Sequence, residues 1–138
     1  MDFDEMCRKL LSANENILYV SVINNRGRPL EEASRDVSGD FCSEYQKEML
    51  MMQCALTISM GRDFDDPFGE IKYVHIDRAG LSLFSFPMGE NTLLVTSRSS
   101  TGSISLARDV AAVIRGSTAR TASKGRTQGK LVAAIQPV

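Results

Sequence analysis

The sequence predicts an α+β fold, an α/β sandwich in which helices flank a five-stranded antiparallel sheet in the order α-β-β-α-β-β-β-α. Three observations lead there. Segments 3–13, 41–60 and 103–115 carry apolar residues at helical spacing. Segments 16–23, 29–34, 70–77, 80–86 and 91–97 read as strands, most of them rich in β-branched and aromatic residues. The links "NNRGR", "RAG" and "PMGE" are too short for crossovers, so the strands they join must be antiparallel neighbours. A chain of 138 residues that is 43% hydrophobic suffices for one domain with a sizeable core.

Taken in order, "FDEMCRKLLSA" places Phe3, Met6, Cys7, Leu10 and Leu11 on one side of a short helix with acids in its first turn. "NILYVSVI" at 16–23 predicts a strand buried on both faces, and Gly27 in "NNRGRP" predicts the turn that returns the chain through "PLEEAS". "RDVSGD" is a polar loop in which Asp40 can cap a long helix over 41–60, ended by Gly61. "RDFDDPFG" predicts an acidic loop. "EIKYVHID", "GLSLFSF" and "NTLLVTS" form a three-strand meander, and "SISLARDVAAVIR" closes the domain as a helix. The domain is expected over 1–116. Residues 117–138, Gly-, Ser-, Thr- and Lys/Arg-rich before an apolar end, are expected to form a flexible basic tail.

The long helix poses the functional question. At roughly 100° per residue, Phe41, Tyr45, Met49, Met52, Leu56 and Met60 share one sector along its full length. That stripe is expected to face the helix's own sheet. Leu50, Met51, Cys54 and Ile58 form a second, half-length patch on the opposite side. One sheet covers one stripe, so the second patch needs another owner, either the segment Leu131–Ile135 or a second subunit.

Signals for chemistry are sparse. His75 is the single histidine and lies mid-strand, where a hydrogen-bonded structural role is expected. Asp63, Asp65 and Asp66 begin like a calcium loop, but Phe68 and Val74 stand where that loop needs Gly and Glu. Cys7, Cys42 and Cys54 are widely spaced and odd in number, which predicts reduced thiols rather than a disulfide framework. No nucleophile elbow, phosphate loop or dinucleotide fingerprint occurs. "SRSSTGS" at 97–103 is read as N-capping by Thr101 or Ser103 rather than as an anion site. Neither a metal nor a cofactor is expected. Met49–Gly61 is too short to cross a bilayer, and the acidic start "MDFDEMC" is unlike an export signal, so a cytoplasmic protein without a transmembrane segment is expected.

Net charge is −1, yet Asp109 is the last acid, so residues 1–109 carry −6 and residues 110–138 carry +5. That polarity suits an acidic body with a solvated basic tail rather than a nucleic-acid binder.

Against this background "ILYVSVINNRGRPLEEAS" with Gly27, the long helix ending "SMG", "VHIDRAGLSLFSFPMGENTLLVTS" and "ISLARDVAAVI" resemble the Roadblock (dynein light chain Roadblock-type) superfamily of the profilin-like and longin-like group, over about residues 3–115. The resemblance implies a non-enzymatic homodimer, or a heterodimer with a paralogue, in which long helices pack together and edge strands join. The corresponding interface would comprise Leu50, Met51, Cys54 and Ile58 on the helix, with Tyr73 and His75 in the pairing strand "EIKYVHID". It further implies regulation or scaffolding of a small Ras-like GTPase. The methionine-rich helix and the basic tail depart from the family pattern. A small-molecule sensor and a profilin-type cytoskeletal module are the alternatives.

Overall fold

The computed structural model describes residues 2–35, 42–99 and 102–121. Helix α1 (Phe3–Ala13) starts at Asp2, whose carboxylate accepts the Glu5 N–H at 3.2 Å. Strands β1 (Ile17–Ile23) and β2 (Pro29–Ser34) follow, then helix α2 (Glu44–Gly61), a 3-10 turn (Arg62–Phe64) and a single helical turn, α3 (Asp65–Phe68). Strands β3 (Val74–Asp77), β4 (Leu81–Met88) and β5 (Asn91–Arg98) lead into helix α4 (Ser103–Thr121). The five strands pair antiparallel throughout in the spatial order β2-β1-β5-β4-β3, so the first and fifth strands in sequence lie side by side.

Strand alternation divides the sheet into two unlike faces. Val20, Val22, Phe84, Phe86, Leu93 and Val95 point to one side, where Met6, Cys7 and Leu10 of α1 and Leu106, Ala107 and Val110 of α4 cover them. Tyr19, Ile23, Leu83 and Leu94 point to the other side, under α2. Between them on that side lie buried Ser21, Ser85, Thr92 and Thr96. The α1/α4 face is therefore a continuous apolar layer, and the α2 face is half polar.

Polar ties hold the covering helices. The Arg35 guanidinium donates to the carbonyls of Ile17 (2.8 Å), Asn14 (3.1 Å) and Leu11, placing a cation at the C-terminal end of α1 where orphan carbonyls collect. Asn14 Nδ2 donates to Asp109 Oδ2 at 3.0 Å and joins α1 to α4. In the β1–β2 turn the Asn24 carboxamide oxygen accepts from the Arg26 (2.9 Å) and Arg28 (3.0 Å) N–H groups.

Several boundaries differ from those the sequence predicts. Ser43, not Asp40, caps α2; Asp40 and Phe41 lie outside the described residues. The "RDFDDPFG" segment closes into short helical turns, and β3 is paired only over Val74–Asp77. Pro87 is tolerated inside β4, opposite Thr92, and the hairpin turns instead on Gly89–Glu90, Gly89 having φ +61°. Helix α4 continues to Thr121, into the segment expected as tail, because an established helix propagates through a lone Gly116 at a cost of about 1 kcal/mol. Residues 122–138 lie outside the described residues.

Gly27 is the point where the hairpin turn meets α2. Its φ is +78°, and a Cβ there would stand 2.7 Å from Met52 Cα and 2.9 Å from the Met52 nitrogen, both backbone atoms of the helix. Gly27→Ala should therefore add a displaced helix to left-handed strain and destabilise by roughly 2–4 kcal/mol. Gly89→Ala, with the same sign of φ but open space around its Cβ, should lose only about 1 kcal/mol. Urea unfolding of the two variants measures the difference.

Candidate functional site

Helix α2 is capped at its start and tied to the sheet near each end. At its start, Ser43 and Gln46 form a reciprocal capping box: Ser43 Oγ accepts the Gln46 N–H at 3.1 Å and Gln46 Oε1 accepts the Ser43 N–H at 3.0 Å. One turn on, Lys47 Nζ lies 2.6 Å from Glu32 Oε1, and Tyr19 Oη donates to the same oxygen. The Lys47 ammonium also sits 5.3 Å from the centre of the Tyr19 ring. At its end, Arg62 Nη2 donates to the Gly89 carbonyl at 2.5 Å.

The side of α2 that meets the sheet is set out by burial. Met51 (2% exposed), Cys54, Ala55 and Ile58 (1% exposed) are buried, with half-buried Leu50 beside them against Tyr19, Ile23, Leu83 and Leu94. The other stripe, Tyr45, Met49, Met52, Leu56 (58% exposed) and Met60 (61% exposed), faces solvent. The wheel's division into two apolar sets holds, but their owners are exchanged. Leu50, Met51, Cys54 and Ile58 belong to the chain's own core and are not an open interface. The physical reason is the half-polar sheet face, whose few large apolar side chains can cover only a half-length patch. Tyr19-Ser21-Ile23, Leu83-Ser85 and Thr92-Leu94-Thr96 carry that signal in the sequence.

Strand β3 is an edge of the sheet, as the resemblance implies for the pairing strand. Tyr73 and His75, however, turn toward the α1/α4 side. The Tyr73 ring stacks on Phe86 at 5.5 Å and the His75 ring on Phe84 at 4.4 Å. His75 does not have the satisfied role the sequence suggested, since its Nε2 is buried without a hydrogen-bond partner. The side chain of β3 that lies exposed on the α2 side is Ile76, paired with Leu83.

Beyond α2, Phe64 and Phe68 stack at 5.9 Å with both rings largely in water. Sequence reasoning passed over this pair as loop.

Burial, with smaller contributions from Glu31 and Asp4, pushes the Cys7 thiol up to about 11. Burial also raises the Cys54 thiol, partly offset by a bond with Ser85. Both are thiols rather than nucleophilic thiolates at neutral pH. Among the described residues no group of three or more His, Cys, Asp or Glu side chains could hold a metal ion, and no helix there is long and apolar enough to cross a membrane.

No family model matches the chain, and no curated protein matches it either. Solved structures do. A Roadblock/LC7 domain from Streptomyces avermitilis superposes with a TM-score of 0.65 at 14% identity, over 88% of this chain and 97% of that one. Myxococcus xanthus MglB gives 0.65 at 18% identity, over 87% and 94%. An MglB with a tetrameric arrangement gives 0.58 at 18% identity, over 80% and 84%.

Glu32 makes the seating of α2 pH-dependent. Burial alone would raise its carboxyl, but hydrogen bonds from Lys47 and Tyr19, together with the Lys47 charge, outweigh burial and hold it below the usual carboxylate range. Because the folded value is the lower one, the stabilisation is complete above the unfolded carboxyl's ordinary range and fades as pH falls through the folded value. Wild type should exceed Glu32→Gln in stability by at most about 1 kcal/mol at neutral pH, the scale of a half-exposed ion pair. That margin should close on acidification, as urea unfolding at a series of pH values measures.

At identities of 18% or less the likeness is one of architecture, and in architecture this chain is a Roadblock-type α+β fold.

Proposed function

We propose that this chain is a non-catalytic, dimeric regulatory or scaffold module whose partners are a second copy of itself, or a paralogue, and a small Ras-like GTPase. The observation that carries the dimer is the exposed stripe Tyr45, Met49, Met52, Leu56 and Met60 on a helix tied to the sheet near each end. At about 1.5 Å per residue the stripe is roughly 22 Å long, and a single apolar face of that size on a rigid helix marks an interface. Spacings of 4, 3, 4 and 4 residues let two such helices interlock, and methionines adapt to an imperfect partner. Ile76 on edge strand β3 adds an apolar side chain on the same side of the sheet. The resemblance to Roadblock proteins supports the same reading, with the helix face corrected from Met51 and Ile58 to Met52 and Leu56.

A charge on each face separates interface from core. Leu56→Glu should leave the circular-dichroism spectrum and unfolding midpoint of the protomer intact while light scattering falls from dimer to monomer mass. Met51→Glu buries an unpaired charge under the sheet and should unfold the chain, at a cost of several kcal/mol. A wild-type protein that is monomeric at high concentration refutes the dimer.

The GTPase assignment rests on the resemblance, because the fold alone does not specify a partner. Immobilised protein should retain a Ras-like GTPase in a nucleotide-dependent manner. Absence of retention in both the nucleotide-loaded and the empty state refutes the assignment and leaves the dimer standing.

A further inference from the structure

We propose that the Phe64–Phe68 patch at the end of α2 is the docking site of the chain's own C-terminal segment, residues 122–138. The patch is built and held. Arg62 is fixed to the Gly89 carbonyl, the Gly69 N–H closes the turn on the Asp65 carbonyl at 2.7 Å, and the two rings stack at 5.9 Å. Even so, Phe64 is 56% and Phe68 80% exposed, so a stacked aromatic pair lies in water with nothing described above it. Such a surface gains by being covered.

Charge selects the occupant. Asp63, Asp65, Asp66 and Glu70 flank the pair in sequence, with Arg62, which donates to the Gly89 carbonyl, before them and Lys72 after them. The stripe of α2 next to it, residues 49–60, carries no charge and does not discriminate between partners by sign. Residues 122–138 hold Lys124, Arg126 and Lys130, then Leu131, Val132 and Ile135, without a single acid. Cations followed by aliphatic side chains match acids that flank two aromatic rings in sequence, and a cation over a ring face adds to both.

Tether length and concentration favour the same copy. Helix α4 ends at Thr121, and the ten residues from there to Leu131 can span about 33 Å when extended. Tethering also holds the segment at an effective concentration in the millimolar range. A second copy is left to the uncharged stripe.

The chain has no tryptophan, so Phe68→Trp in the full-length protein gives a single emission from the patch. At low ionic strength that emission should be blue-shifted and protected from acrylamide, and both properties should fade as salt rises. Adding Lys124→Glu, Arg126→Glu and Lys130→Glu should return it to the red-shifted emission of an exposed indole. Combining those changes with Asp63→Lys and Asp66→Lys should restore the blue shift. Identical emission with the native and reversed segments overturns the proposal, as does failure of the charge swap to restore it. A blue shift that vanishes on dilution, or in the Leu56→Glu background, assigns the patch to a second copy and overturns same-copy docking.

Discussion

The face of the sheet that receives α2 has too little apolar surface for the helix laid upon it. Tyr19, Ile23, Leu83 and Leu94 provide the grip, and Ser21, Ser85, Thr92 and Thr96 lie between them. A helix that is apolar almost all round therefore buries Met51, Cys54, Ala55 and Ile58 and must present its other stripe outward. On the opposite face the situation is reversed. Two amphipathic helices cover a continuous layer that includes Phe84, Phe86, Leu93 and Val95 and leave little apolar surface over. The asymmetry between the faces makes one side of this protein a closed core and the other an open one.

An open side is useful only if it is rigid, and the polar contacts around α2 supply that. The Gly27 turn presses against the helix backbone at Met52, so no side chain intervenes between hairpin and helix. Lys47, Glu32 and Tyr19 tie the first turns to β1 and β2, and Arg62 ties the end to the β4–β5 turn. The half-exposed ion pair contributes little energy by itself. Its role is positional: it joins the first turns of the helix to β1 and β2 in the orientation that burial of Met51 and Ile58 sets.

Much of this was legible in the sequence, and the part that was not has a definite cause. Helical and strand periods located the five strands and the three long helices, though not the short turns over Arg62–Phe68, and short links fixed the antiparallel pairings. The two apolar sets on α2 were also legible as sets. Their assignment was not, because a wheel describes a helix alone and the longer stripe was matched to the sheet by length. The missing information lay in the strands, where Tyr19-Ser21-Ile23 and Thr92-Leu94-Thr96 alternate apolar and polar on one face while Val20-Val22 and Leu93-Val95 do not. Serine and threonine suit strands as well as valine does in outline, so their cost in covering power is easily overlooked. Ser43 was missed as a cap for a related reason. Asp40 is an equally good cap by type, and only the glutamine three residues after Ser43 distinguishes the true start.

Edge strand β3 brings the two halves of the open side together. The His75 ring of β3 and the Tyr73 ring just before it are stacked on Phe84 and Phe86, although Tyr73 stays 39% exposed. Open to another molecule are the exposed part of Tyr73, the backbone edge that pairs with no other strand among the described residues, and Ile76, which lies beside Leu83 on the α2 side but beyond the helix's cover. An exposed strand edge is a liability unless charged, bent or covered, and this one carries only Asp77 as a charge within the strand. A partner that covered the α2 stripe but left this edge open would solve half of the problem. One that extended the sheet while packing a second long helix against the first would bury Ile76, the stripe and the backbone edge together. The placement of one exposed edge and one exposed helix face on the same side thus favours a partner of the same architecture.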